Sequence, residues 1–177
     1  MTNIDRDKLN STYKFHENEL EMIMETANKI TKPLTAEIEK CIGTVLTKCN
    51  EIENFDALNL EELERMAIKI PALCLFLQVK INEYSIKSSV EHLFVNTMVM
   101  NELEKIKVEK GEAREKMKRA EAICLNDRIV EELNKQICLN LRDVVTRADK
   151  VYEGVKKILD IRMRENEYNR KSQKFSS

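Results

Sequence analysis

The chain has 177 residues, 34% of them charged, and a formal net charge of -1 at pH 7. This balance argues against strong non-specific attraction to nucleic acid as a property of the whole protein. With three glycines and two prolines, the sequence has few turn signals. The composition therefore favours helices and offers little of the loop geometry on which most catalytic sites depend.

The N-terminus and the cysteines both indicate a reducing, cytoplasmic compartment. Residues 1–15, MTNIDRDKLNSTYKF, are polar and contain no apolar signal-peptide core, so we expect a flexible N-terminal arm. The five cysteines are odd in number and lie within apolar helical patterns, which is typical of reduced core thiols. They are Cys41, Cys49, Cys74, Cys124 and Cys138. We predict a cytoplasmic protein.

The region 16–55 is expected to form an N-terminal helical hairpin. An apolar stripe at helical spacing predicts a first helix over residues 17–30. Pro33 is expected to end this helix, because proline lacks the N–H that an interior helix position donates. A second helix then covers about residues 34–52 and leads into a loop.

The segment IPALCLFLQVKI, residues 70–81, is apolar on nearly every side. It is too short for a membrane span, which needs roughly 20 apolar residues, and its seven-residue spacing indicates a helix rather than a strand. Asn59, with Glu62 three positions later, is expected to cap the start of this helix. Pro71 is expected to bend or restart it. A helix that is apolar all round belongs at the centre of a bundle.

The second half of the chain predicts two further helices. One begins near Val90 and ends near Gly111, although a continuous helix through Ser88 fits nearly as well. The last covers about residues 112–168, and its length suggests a bend near Gly154, a projection, or pairing with another chain. We predict an all-α fold, a helical bundle of 4–5 helices with a long C-terminal helix of coiled-coil character. The core of the bundle and this long helix are expected in residues 56–177.

Several side chains allow two interpretations. Asp127 and Asn134 fall on the apolar seam of the last helix, where a buried Asn can fix the register; we favour a shifted seam that leaves both in water.

Four methionines occur in two close pairs, Met22 and Met24, Met98 and Met100. They could line an adaptable binding groove, although gap-filling in a core is the simpler interpretation.

The sequence contains no recognised catalytic or metal-binding motif. Phosphate-binding and dinucleotide-binding loops are missing, and FHENEL, residues 15–20, lacks the second histidine of a zinc protease. No CxxC pair occurs, and His16 and His92 stand apart from the cysteines. We therefore expect no metal, no cofactor and no enzymatic activity.

Two parts of the last helix are candidate contact surfaces. Its apolar face is longer than the shorter helices are expected to cover, so we expect it to bind a protein partner or to form a homodimer. The candidate residues are Val144, Val151, Tyr152, Val155 and Ile158. The basic end of the helix is a candidate contact for single-stranded nucleic acid, although a frayed tail is the simpler interpretation. Its candidate residues are Arg162, Arg164, Arg170, Lys171 and Lys174.

The order of segments over residues 60–172 resembles a known group of proteins. The run LEELERMAIKIPALCLFLQVKI, a helix ending in EKG, and then AREKMKRAEA and VKKILDIRMRENEYNRK are similar to small helical early-region proteins of bacteriophages of Gram-positive bacteria. Those proteins are encoded beside single-strand-binding and strand-annealing proteins. The resemblance implies a protein-interaction protein in phage DNA replication and recombination, or an anti-defence inhibitor of a host complex. The alternative is a single-stranded nucleic-acid-binding accessory.

Overall fold

A computed structural model describes residues 16–50, 59–105 and 113–175, and within these ranges the chain is all-α. The helices are α1 (Glu17–Asn50), α2 (Leu60–Lys105), α3 (Ala113–Ile123) and α4 (Leu125–Phe175). The prediction of an all-α helical bundle with a long C-terminal helix is confirmed. The predicted N-terminal arm, residues 1–15, lies outside the described residues.

The residues just before α1 and α2 cap the first turns of these helices. At α2, Oδ1 of Asn59 accepts a hydrogen bond from the N–H of Glu62 at 2.8 Å, and its carbonyl accepts one from Leu63 at 3.1 Å. The predicted cap is therefore confirmed. At α1, the carbonyl of His16 accepts from the N–H of Glu19 at 3.0 Å, and the Glu19 carboxylate accepts from the N–H of His16 at 2.9 Å. Local sequence thus determines where both helices begin.

Both prolines lie inside helices. α1 continues through Pro33 and α2 through Pro71, so the predicted break at Pro33 and the hairpin over residues 16–55 are wrong. An interior proline costs about 3 kcal/mol through its missing N–H and its clash with an earlier carbonyl. Packing offsets this cost, because Ile38 after Pro33 and Ile70 before Pro71 are 1% and 0% exposed.

The break in the second half of the chain lies at Cys124, between α3 and α4. The N–H of Cys124 still reaches the carbonyl of Ala120 at 3.4 Å. α4 then continues through Gly154, where the sequence suggested a bend. α2 likewise continues through Ser88, which decides between the two alternatives for that segment. The predicted helix end near Gly111 lies outside the described residues.

The chain divides into two compact units. Of the described residues, unit 1 contains 16–29, 83–105 and 113–138, and unit 2 contains 30–50, 59–82 and 139–175. Segments of α1, α2 and α4 therefore contribute to each unit. This division differs from the predicted one, in which a hairpin over residues 16–55 preceded a separate bundle.

Each unit has its own apolar core. In unit 1 one buried cluster consists of Val95, Val99, Ala120 and Cys124, and Met98, Leu103 and Met117 pack against it. In unit 2 one buried cluster consists of Val45, Leu63 and Val155, and Met66, Ala67, Val151, Ile158 and Leu159 pack against it. This cluster of unit 2 thus takes one buried residue from each of α1, α2 and α4.

Candidate interaction surface

The apolar residues of α2 lie on two opposite sides of the helix. Residues two positions apart are separated by about 200° around an α-helix. In unit 2 the exposed side carries Ile68, Leu75 and Val79, and the buried side carries Ile70, Leu77 and Ile81. The exposed three keep 64% to 75% of their surface, whereas the buried three keep at most 1%. The prediction that this helix is enclosed at the centre of a bundle is therefore wrong for one of its sides.

We call the exposed side of α2 in unit 2 the outer face of unit 2. It consists of Ile68, Ala72, Leu75, Phe76 and Val79. Its four large side chains are 47% to 75% exposed. Lys69, the charged side chain next to Ile68, is paired with Glu37 at 2.7 Å. The five side chains of the face are themselves uncharged.

We call the exposed side of α2 in unit 1 the outer face of unit 1. It consists of Ile86, Val90, Leu93 and Phe94, which are 52% to 68% exposed. Lys87 borders this face, 2.8 Å from the carboxylate of Glu83 and 4.8 Å above the ring of Tyr84. The face is thus an apolar stripe, and the charge of Lys87 at its border is paired with that of Glu83.

Three of the four paired methionines are also exposed in unit 1. Met22 and Met24 of α1 are 47% and 54% exposed, and Met100 of α2 is 40% exposed. Met98 instead packs against the core of unit 1. Gap-filling in a core therefore holds for Met98 alone. The flexible thioether side chains of the other three suit contacts with partners of different shape.

Unit 1 also contains a buried carboxylate between two basic side chains. Glu131 is 3% exposed, and its Oε1 lies 2.8 Å from Nδ1 of His92 and 2.6 Å from Nζ of Lys135. Nδ2 of Asn96 lies 3.0 Å from the other ring nitrogen of His92. Because this amide donates to Nε2, the neutral imidazole carries its proton on Nδ1, facing Glu131.

The charge state of Glu131 follows from these contacts. Burial alone would raise the pKa of this carboxyl, but the hydrogen bonds from Lys135 and His92 outweigh burial and hold its pKa below the ordinary 4.5. The pKa of Lys135 is raised, because its contact with Glu131 outweighs the opposing effect of burial. The cluster is therefore an ion pair that satisfies a buried charge, and its chemistry is structural.

Other polar groups are buried in unit 1 as well. Asn134 is 9% exposed, so the favoured interpretation that it faces water is wrong, and Asp127 is half-buried. Glu121 is 2% exposed, with Nη2 of Arg128 at 3.9 Å. Sequence reasoning missed Glu121 and Glu131 because it assigned charged residues to solvated faces. Glu121 lies three residues before the buried Cys124 and Glu131 three residues before the buried Asn134, and this helical spacing is the signal that could have found them.

The predicted pairing surface on α4 lies largely inside unit 2. Val144 and Val155 are 6% and 0% exposed, and the others, Val151, Tyr152 and Ile158, are half-buried. Val155 belongs to the same buried cluster as Val45 of α1 and Leu63 of α2, and Val151 and Ile158 pack against that cluster. The expected surplus of apolar surface on α4 is therefore reduced there, because α1 and α2 share this cluster with it.

The predicted nucleic-acid contact lies at the end of α4. Arg164, Arg170 and Lys171 are exposed and Arg162 is half-buried, whereas the side chain of Lys174 is outside the described part of the chain. Glu165 and Glu167 are exposed between these bases. Acidic side chains therefore interrupt what would otherwise be a continuous basic stripe.

Among the described residues, no group of three or more His, Cys, Asp or Glu could hold a metal ion. Cys41, Cys124 and Cys138 are buried and Cys74 is half-buried, and none of these four forms a disulfide. No helix in the described ranges is long and apolar enough to cross a membrane.

Comparisons with protein-family models, with curated protein sequences and with solved structures find no match to this chain. Its function is therefore inferred from its own residues.

Proposed function

We propose that this protein is a non-enzymatic protein-interaction protein that binds a second protein through the outer face of unit 1. The observation that carries this proposal is the exposure of Ile86, Val90, Leu93 and Phe94 on one side of a single helix. Their spacing of 0, 4, 7 and 8 residues is the anchor pattern with which an amphipathic helix fills an apolar groove. The partner that fits is a protein with an apolar groove wide enough for one helix.

The size and composition of the face support this proposal. Taking about 150–200 Å² for a fully exposed apolar side chain, the four residues present roughly 360–490 Å², which lies in the range of functional patches on monomers. Lys87, at the border, is already paired with Glu83. A partner groove therefore needs apolar walls rather than an opposite charge.

The resemblance to phage early-region helical proteins suggests where such a partner belongs. On that resemblance we place it in a phage DNA replication and recombination assembly or in a host defence complex that the protein inhibits. The basic end of α4 supplies the competing proposal, a nucleic-acid-binding accessory, which the same experiment tests.

The experiment is an affinity pull-down from Gram-positive host cells with the full chain as bait. A partner that docks on the outer face of unit 1 is captured by the wild type and lost from a Val90→Glu, Leu93→Glu double variant. The matched control, Leu75→Glu with Val79→Glu, carries the same charges on the outer face of unit 2 and retains the partner. Capture that is equal for the wild type and the unit 1 variant contradicts the proposal.

Nuclease treatment and salt separate the two candidate functions. Capture through an apolar groove survives nuclease and changes little with salt. Binding through Arg164, Arg170 and Lys171 instead disappears with nuclease and weakens steeply as salt rises.

A further inference from the structure

We propose that a second copy of this chain covers the outer face of unit 2, with the two α2 helices antiparallel. This contact uses Ile68, Ala72, Leu75, Phe76 and Val79, none of which belongs to the surface proposed for the protein partner. The homodimer expected from the sequence thus moves from α4, whose apolar residues are largely buried in unit 2, to α2.

The apolar area exposed on the outer face of unit 2 is large enough to favour burial against a partner surface. At 75%, 70%, 47% and 64% exposure, Ile68, Leu75, Phe76 and Val79 leave a large fraction of their surface in water. With about 150–200 Å² for each fully exposed side chain, the face presents roughly 380–510 Å². Two copies placed face to face remove roughly 770–1,020 Å² from water, and the upper end of this range reaches the area at which specific protein interfaces begin.

The spacing of the face is complementary to itself. Ile68, Ala72, Leu75 and Val79 are four, three and four residues apart, which is the spacing of an apolar coiled-coil seam. When two such seams run antiparallel about the point between Ala72 and Leu75, Ala72 of one copy faces Leu75 of the other. Ile68 of one copy then faces Val79 of the other. A small side chain opposite a large one lets the two helices interdigitate.

The charges around the face also favour a copy of the same chain. Two-fold symmetry brings two copies of the same surface together, so an excess of one charge on the face would cause repulsion between them. The seam residues carry no charge, and Lys69 beside them is held by Glu37 at 2.7 Å. Self-association therefore brings no uncompensated like charges into contact at this seam.

The first test is the mass in solution, measured by light scattering over a micromolar dilution series. The wild type is expected to reach a mass near twice 20.7 kDa. The Leu75→Glu, Val79→Glu double variant should stay at 20.7 kDa with unchanged helical circular dichroism, because both positions are exposed. Val90→Glu with Leu93→Glu, on the outer face of unit 1, should remain dimeric. A monomeric wild type overturns the proposal, as does a dimer that persists in the unit 2 variant.

The second test fixes the direction of pairing without adding charge to the face. A chain carrying both Ile68→Cys and Val79→Cys should form a covalent dimer under mild oxidation, and peptide mapping should join position 68 of one copy to position 79 of the other. In an antiparallel pair the two copies of position 68 are about 16 Å apart, given a rise of about 1.5 Å per residue. Ile68→Cys alone should therefore give no bond between its two copies. Efficient formation of a disulfide between the two copies of position 68 overturns the antiparallel arrangement.

The two proposals fail separately. A wild type that is monomeric but still captures its partner through Val90 and Leu93 refutes the self-association alone. A dimer whose pull-down does not depend on Val90 and Leu93 refutes the proposed function alone.

Discussion

Leu75 and Leu77 lie on opposite sides of α2, and their exposed fractions are 70% and 1%. The two leucines are close neighbours in sequence and identical in chemistry, yet one faces water and the other packs inside unit 2. Two residues correspond to about 200° around an α-helix. Each exposed apolar residue of α2 in unit 2 that lies two positions before a buried one is therefore on the opposite side of the helix from it. The energetic role of an apolar residue in this helix therefore depends on its side and not on its hydrophobicity.

This relationship predicts unequal effects of the same substitution. Leu77→Asp removes a buried leucine and places an unpaired carboxylate in the core, so we expect a loss of at least about 3 kcal/mol, or complete unfolding. Leu75→Asp leaves the carboxylate in water and should cost less than about 1 kcal/mol. Urea denaturation at low protein concentration, where self-association does not contribute, measures both values. Equal losses would show that the two sides of α2 are assigned wrongly.

The acid stability of unit 1 should depend on Glu131. Its pKa is held below the ordinary 4.5, so its ionised form stabilises the fold above that pH, and this stability is lost as the pH falls through the lowered pKa. Glu131→Gln removes this dependence. We expect the variant to be about 1–3 kcal/mol less stable than the wild type near pH 7, because Lys135 and His92 lose a charged acceptor. The difference should shrink as both proteins are acidified below pH 4.5.

Glu132→Gln is the matched control for that measurement. Glu132 shares Lys135 with Glu131, at 3.4 Å, but its side chain is 34% exposed where that of Glu131 is 4% exposed. Solvent screens its interaction, so the melting temperature should change little at any pH. If thermal melts from acid to neutral pH show parallel curves for the wild type and Glu131→Gln, then the buried ion pair does not stabilise unit 1 as described.

The start of α2 offers a local test. Asn59→Ala removes the side-chain acceptor of the Glu62 N–H, and the loss should be about 1 kcal/mol. Asn59→Asp and Asn59→Ser keep an oxygen at the same place and should retain most of the stability. Urea midpoints of the three variants provide the measurement. A loss from Asn59→Asp as large as that from Asn59→Ala would mean that the capping hydrogen bond is not the source of the effect.

Features that depend on nearby residues could be predicted from the sequence. The cap at Asn59 and the buried seam through Ile70 and Leu77 follow from side-chain chemistry and from the helical period. The continuation of α1 through Pro33 could not be predicted in this way. The free-energy cost of an interior proline is set by local geometry, whereas the packing that offsets it comes from distant segments of the chain.

The candidate surface was missed for a related reason. α2 is apolar on both sides, and periodicity shows which residues share a side without showing which side other helices cover. The same limit applies to Val155 on α4, which was taken as a surface residue but lies buried in a cluster with Val45 and Leu63. Composition could not show that Glu131 is buried, since its burial depends on contacts with His92 and Lys135 that form in the folded chain.

Cys74 provides a test of unit 2 that needs no denaturation. Its thiol is half-buried; burial raises its pKa to about 11, and the carboxylate of Asp149, which also shares a hydrogen bond with the thiol, contributes to the increase. Because only the thiolate reacts, roughly 0.1% of Cys74 is reactive at pH 8, and its alkylation by iodoacetamide should be slow and should still be accelerating above pH 10.

Asp149→Asn removes the neighbouring charge, so it should lower the pKa and speed the labelling of Cys74 at pH 8. Asp143→Asn, at an exposed position on the same helix, should leave the rate unchanged. Peptide-resolved mass spectrometry separates Cys74 from the other thiols, and labelling at the rate of an ordinary exposed cysteine would contradict the described environment.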